Sequence, residues 1–162
     1  MRIHVITAGG TIDKQYNAKS GGLDIGAEII SRVLHLAGVN EHEVYLSCIL
    51  QKDSMDITDA ERTDLVKFII ASPLNRILVT HGTDTIEKTA QLINHARNKT
   101  IVLTGAMVPY SMNNSDASFN IGFAYAATQL LPIGVYIAMH GKVLPYTQYT
   151  KDRAAGKFVA VK

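Results

Sequence analysis

Four short segments gather groups that could do chemistry, and three of them set hydroxyl side chains beside glycine: Ala8-Gly9-Gly10-Thr11, Lys52-Asp53-Ser54, His81-Gly82-Thr83-Asp84-Thr85 and Gly105-Ala106-Met107. Each follows a short run rich in β-branched residues. In an open α/β sheet, ligands collect beyond the carboxyl ends of the strands, so these four ends would share one pocket. Such a pocket is rich in hydrogen-bond donors and poor in bulk. Gly9 and Gly10 let the chain turn sharply and present amides to an anion or a developing oxyanion, although a Gly-Gly pair is equally an ordinary tight turn. A threonine hydroxyl becomes a nucleophile only when a base removes its proton. A lysine serves as that base if burial or a neighbouring charge lowers its pKa and a carboxylate fixes its position. Lys99 is the candidate lysine, yet it stands just before one strand whereas Thr83 stands just after another. By spacing alone Lys99 reads as a solvated charge at a strand entrance.

Other chemistries find less support. Gly9-Gly10-Thr11 lacks the third glycine of a dinucleotide-binding turn, and no Gly-Lys-Ser/Thr follows, so no nucleotide cofactor is expected. His4, His35, His42, His81, His95 and His140 form no ligand pair on one helix face, and no metal is expected. The net charge of +2, with no run of Lys or Arg, gives no footprint for nucleic acid or an anionic membrane. No stretch approaches the roughly 18 apolar residues of a membrane span. The N-terminal apolar run, residues 3–6 interrupted by His4, is too short for a signal-peptide core. The single Cys48 cannot form an internal disulfide and reads as a small core residue on a buried strand, which fits a reducing compartment, the cytoplasm.

The elements that would position these groups alternate in type. Strands are expected at residues 3–6, 44–50, 76–80, 100–104 and 133–139. Ile25, Ile29, Ile30, Val33, Leu34 and Ala37 recur at helical spacing, with Gly38 where the helix would end. Thr58 and Glu61 form a capping box for a helix that stops before Pro73. Further helices are expected over about 85–96 and 115–131. The alternation implies an α/β fold: a three-layer, doubly wound, mostly parallel sheet of flavodoxin/Rossmann-like type, in one domain covering 1–162. Residues 141–162 alternate weakly, and 143–144 with 158–161 would make a terminal hairpin or edge strand.

Three ordered motifs resemble a known family. Thr7-Ala8-Gly9-Gly10-Thr11-Ile12 is similar to the first signature of the bacterial-type (type I and II) L-asparaginases. His81-Gly82-Thr83-Asp84-Thr85-Ile86-Glu87-Lys88-Thr89-Ala90 is similar to their second signature almost throughout. Val102-Leu103-Thr104-Gly105-Ala106-Met107-Val108-Pro109 resembles the segment after it, and the likeness extends over about 2–161. The resemblance implies a threonine amidohydrolase that converts L-asparagine to aspartate and ammonia. It assigns Thr11 as nucleophile, Thr83 and Asp84 as the second threonine and the carboxylate that holds the substrate amino group, and Lys99 as the lysine paired with Thr83. It also assigns Ser54 to the substrate carboxylate and the amides near Gly10, Gly82 and Thr83 to the oxyanion. Tyr16 is the candidate for the family's activating tyrosine.

Met55 and Val108 depart from residues usual in the family, and the chain stops where a second domain would begin. The expected partners are a small-molecule amide and a second copy of the chain in a homodimer. The alternatives are a non-catalytic amino-acid-binding module or a fragment of a two-domain asparaginase.

Overall fold

The computed structural model describes residues 1–161; Lys162, the last residue of the expected domain, lies outside the described residues. In chain order the elements are β1 (Ile3–Gly9), β2 (Lys14–Asn17), β3 (Gly22–Ile25), α1 (Ile30–Leu36), β4 (Val44–Lys52), α2 (Asp59–Ala71) and β5 (Arg76–Thr80). They continue as α3 (Ile86–Ile93), β6 (Thr100–Thr104), α4 (Ala117–Leu130), β7 (Gly134–Met139), β8 (Lys142–Pro145), β9 (Tyr149–Asp152) and β10 (Lys157–Ala160).

The main sheet runs β4-β1-β5-β6-β7-β8. Its first five strands are parallel, and β8 joins β7 antiparallel. Among the parallel strands alone the order is second-first-third-fourth-fifth, that of flavodoxin-like sheets, whose direction of winding reverses between β1 and β5. The central strands are buried on both faces, as parallel sheets require. Ile6, Val79, Ile101 and Ile137 face one core with Leu65, Ile69, Ile86 and Ile93 of α2 and α3. Ile3, Val5, Leu78 and Val102 face the other with Val33 of α1 and Ile121 and Ala124 of α4. The fold is thus a three-layer α/β arrangement.

Local chemistry explains the boundaries. Thr58 accepts from the Glu61 amide while the Glu61 carboxylate accepts from the Thr58 amide, closing the expected capping box at α2. Helix α1 ends in a Schellman motif: Val39 N–H donates to Leu34 O and Gly38 N–H to His35 O, with Gly38 at φ 74°.

Three expectations need correction. The helix foreseen from Ile25 is shorter, because Ile25 closes a hairpin in which β2 and β3 pair antiparallel. Cys48 is exposed rather than a core residue, because β4 is the open edge of the sheet and pairs only with β1. The polar tail divides between the edge strand β8 and a separate β9–β10 hairpin, which packs Tyr149 and Phe158 into the α2–α3 side of the core.

Candidate active site

The four strand ends, three of them glycine-bearing, meet at the carboxyl edge of the sheet. Their contact leaves no room for a side chain at these glycines. A Cβ on Gly10 would fall 2.4 Å from Gly82 Cα, one on Gly82 would fall 2.6 Å from Ser54 Cβ, and one on Gly105 would fall 2.4 Å from His81 O. Gly9 and Gly10 have φ of 79° and 99°, conformations open to glycine at little cost. Gly10 N–H donates to Lys52 O at 2.9 Å, tying the turn after β1 to the end of β4. Thr11 follows as the first residue of a short 3-10 turn, half-buried. This is the reversal point between β1 and β5, where open α/β sheets receive ligands.

Ser54 is buried beside Gly82, and its Oγ has no hydrogen-bond partner among the described residues. Its loop is held from outside: Thr85 Oγ1 donates to Ser54 O at 2.9 Å, and Lys14 Nζ pairs with Asp53 Oδ2 at 2.6 Å. Burial would raise the Asp53 carboxyl, but the Lys14 and Met55 hydrogen bonds and the charges of Lys14 and Lys151 outweigh it and hold it below the ordinary range.

Thr83 is buried, and the ammonium beside it is not Lys99. Lys151 Nζ, on β9, donates to Thr83 Oγ1 and to Asp84 Oδ1, both at 2.9 Å. Only 11% of the Lys151 side chain is exposed. Glu87 fixes the strand that carries it, accepting from Lys151 N–H at 2.7 Å and from Thr150 Oγ1 at 3.0 Å. Arg153 donates to Asp84 O at 3.3 Å. An open cleft of about 600 Å³ flanks this group, lined by Asp84, Glu87, Thr150, Lys151 and Arg153 but by neither Thr11 nor Ser54.

The structure corrects the placement of Lys99. Its Nζ donates to Ser72 O at 2.6 Å and Leu74 O at 3.0 Å, capping carbonyls at the amino end of the sheet. Arg76 pairs with Thr100 and Thr80 with Thr104, so Lys99 and Thr83 sit beyond opposite ends of neighbouring strands, separated by about 16 Å of strand. A lysine side chain does not span that distance. Tyr16 lies on β2, 68% exposed, beside a recess that Arg32 and Tyr110 also line.

Two buried residues that spacing did not single out matter locally. Asp13, two residues after Thr11, accepts from Ile29 N–H at 3.0 Å, closing the hairpin back onto the Thr11 turn. Burial raises its carboxyl to about 6 despite that hydrogen bond, and Glu28 adds to the rise. Arg62, 1% exposed on α2, donates to Thr89 Oγ1, Ser54 O and Ile57 O. The sequence signal for Lys151 is faint: one lysine in a polar tail, 68 residues from its partner threonine. Among the described residues no three His, Cys, Asp or Glu side chains converge in a metal-like cluster, and no helix is long and apolar enough to cross a membrane.

An α/β domain whose close-packed glycine turns at the winding reversal stand beside threonine hydroxyls, a buried serine and a lysine–carboxylate pair is the class that fold and site define. Residues 2–158 match the family described as Asparaginase, N-terminal, and the chain belongs to that family. It is 29% identical to an L-asparaginase of Thermococcus kodakarensis over 96% of its own length and 49% of that protein. It is 28% identical to a glutaminase-asparaginase of Acinetobacter glutaminasificans, covering 91% of this chain and 48% of that one. A glutamyl-tRNA(Gln) amidotransferase component of Aeropyrum pernix is 27% identical over 87% of the chain and 35% of that protein. The solved thermostable L-asparaginase of T. kodakarensis superposes with a TM-score of 0.83 at 27% identity, covering 99% of this chain and 51% of that one. A probable cytoplasmic L-asparaginase of Campylobacter jejuni superposes at 0.76, also at 27% identity, over 93% and 49%. The chain thus spans between a third and a half of the relatives it matches.

Proposed function

We propose that this chain supplies the nucleophile half of an amidohydrolase site that converts L-asparagine to aspartate and ammonia. The observation that carries the reading is the pairing of Lys151 Nζ with both Thr83 Oγ1 and Asp84 Oδ1 at the ligand-receiving end of the sheet. Thr11 Oγ attacks the side-chain amide carbon, its proton passing to the Thr83–Lys151 pair as the C–O bond forms and from there to the amide nitrogen as the C–N bond breaks. Ammonia leaves with the added proton, and water then cleaves the acyl-threonine, returning the proton to Thr11. Amides of the Gly10 and Gly82–Thr83 turns face the developing oxyanion. Ser54 Oγ receives the substrate α-carboxylate, and Asp84 receives its ammonium group.

The relatives named for glutaminase and amidotransferase functions make glutamine the competing substrate. Those relatives extend well beyond the matched region, so the cleft left open here is completed by a further segment or a second copy in a homodimer. The single cysteine favours a cytoplasmic setting. Ammonia release from asparagine and from glutamine, with wild type and Thr11→Ala, tests the proposal. Turnover that survives Thr11→Ala, or binding of aspartate with no ammonia released from either amide, defeats it; the second result leaves an amino-acid-binding module.

A further inference from the structure

Beneath the cleft runs a chain of buried hydrogen bonds that the proposed reaction does not use. Arg62, Thr89 and His81 are each no more than 1% exposed. Arg62 Nη1 donates to Thr89 Oγ1, which lies 2.8 Å from His81 Nε2, and His81 Nδ1 lies 2.9 Å from Gly82 O. Donor counting fixes every proton in this chain. A guanidinium only donates and a carbonyl only accepts. His81 Nδ1 must therefore carry a hydrogen toward Gly82 O. Burial, and to a lesser degree the charge of Arg62, lower the imidazole pKa to about 4, so the ring is neutral and Nε2 is bare. Thr89 then accepts from Arg62 and donates to Nε2, and no step can reverse.

The far end of the chain is the functional one. The Gly82–Thr83 peptide is planar and trans, so its C=O and N–H point in opposite directions. A carbonyl held down against the buried imidazole turns the Thr83 N–H up, away from the core. Gly82 has no side chain to resist that orientation, and Ser54 packs against its Cα, leaving no room for one. Arg62 also donates to Ser54 O and Ile57 O, so the same guanidinium holds the β4–α2 connection beside the relay.

We propose that Arg62, Thr89 and His81 are positioning residues, a one-way relay that sets the Thr83 N–H toward the cleft as the oxyanion donor. The catalytic role rests on the amidohydrolase reading; the orientation of the peptide does not. The test compares Thr89→Val, which removes the hydroxyl at nearly constant volume, with Thr89→Ser, which restores it. In the unliganded protein, side-chain ¹⁵N NMR of His81 should show a protonated Nδ1 and a bare Nε2 in wild type and Thr89→Ser. In Thr89→Val, Nδ1 stays protonated, because Gly82 O still only accepts, but Nε2 loses its donor, so its ¹⁵N signal should move downfield, and the Gly82 and Thr83 amide signals should shift. Turnover of asparagine should fall about 10–100-fold in kcat for Thr89→Val, with KM held within about threefold, and return in Thr89→Ser.

An unchanged His81 signature in Thr89→Val overturns the relay whether or not the wild type is an amidase. A signature that changes while kcat stays at the wild-type value overturns the catalytic role. A wild type with no turnover at all removes that role together with the amidohydrolase reading, while the NMR comparison still decides the orientation.

Discussion

Lys151 Nζ and Thr83 Oγ1 meet at 2.9 Å across 68 residues of chain, joined by a hairpin strand that Glu87 holds in place. The lysine comes to the site neither from a parallel strand nor from a neighbouring loop. It is carried back over the carboxyl end of the sheet by β9, which belongs to a separate two-stranded ribbon. The geometry of the site therefore depends on a tertiary contact that forms only once the tail has docked.

Two lysines should separate cleanly on substitution. Lys151→Met should lower turnover about 10²–10⁴-fold, the range for loss of a positioned proton-transfer group, with modest change in stability. Lys99→Met should leave kcat near wild type, because its Nζ binds only Ser72 O and Leu74 O. Loss of that donor strands two carbonyls, at a cost of about 1–3 kcal/mol. Steady-state kinetics beside thermal unfolding reads both; the opposite pattern would return Lys99 to the site.

Glu87 should behave as a strand anchor. Glu87→Ala removes the acceptor for Thr150 Oγ1 and Lys151 N–H, so β9 loses its tether while the Lys151 side chain remains chemically intact. The expected result is about a tenfold loss in kcat with faster amide exchange at 150–152, and Glu87→Gln should recover part of both. Unchanged exchange in Glu87→Ala would show that the ribbon docks by Tyr149 and Phe158 alone.

The turn glycines should tolerate no side chain. Gly10→Ala places Cβ 2.4 Å from Gly82 Cα at a φ of 99°. Both effects act against the native state, and a loss of at least about 1–3 kcal/mol is expected, read as a drop in urea midpoint at constant slope. Gly38→Ala is the control: its φ is 74°, yet nothing lies within 4 Å of the added carbon, so it should cost less.

What spacing revealed and what it hid have a common physical origin. The central strands β1, β5 and β6 carry near-continuous apolar runs because both faces are buried, and the glycine turns after them are short local signals. Thr58 with Glu61, and Gly38 after α1, are also decided within a few residues. These features were legible because local sterics and capping determine them. The β2–β3 hairpin was not, since Ile25 fits a helical stripe equally well until Asp13 pulls Gly26 and Ile29 back to the Thr11 turn. Lys151 was hidden for the opposite reason: nothing within its own ribbon records that Thr83 lies above it. Lys99 shows the converse. Strand geometry alone places it at the sheet's entrance, and motif order draws it toward Thr83. Cys48 reads as core because an edge strand and a central strand share the same alternation.

Asp13 should make stability fall as the medium becomes less acidic. Its folded carboxyl is raised to about 6 from an ordinary 3.8, so the native state binds this proton more tightly than the unfolded chain does. Below the unfolded value both states are protonated and no penalty exists. As pH rises through the interval between the two values the unfolded chain ionises first, and native stability declines until the folded carboxyl has also ionised. Above pH 6 the penalty is complete, on the order of 1–3 kcal/mol. Asp13→Asn keeps an acceptor for Ile29 N–H while removing the charge. The variant should match wild type near pH 4 and exceed it at pH 8, by several degrees in Tm. A gap that is already as large at pH 4, or that closes as pH rises, would show that the hairpin clasp responds to the substitution for reasons other than a buried carboxylate.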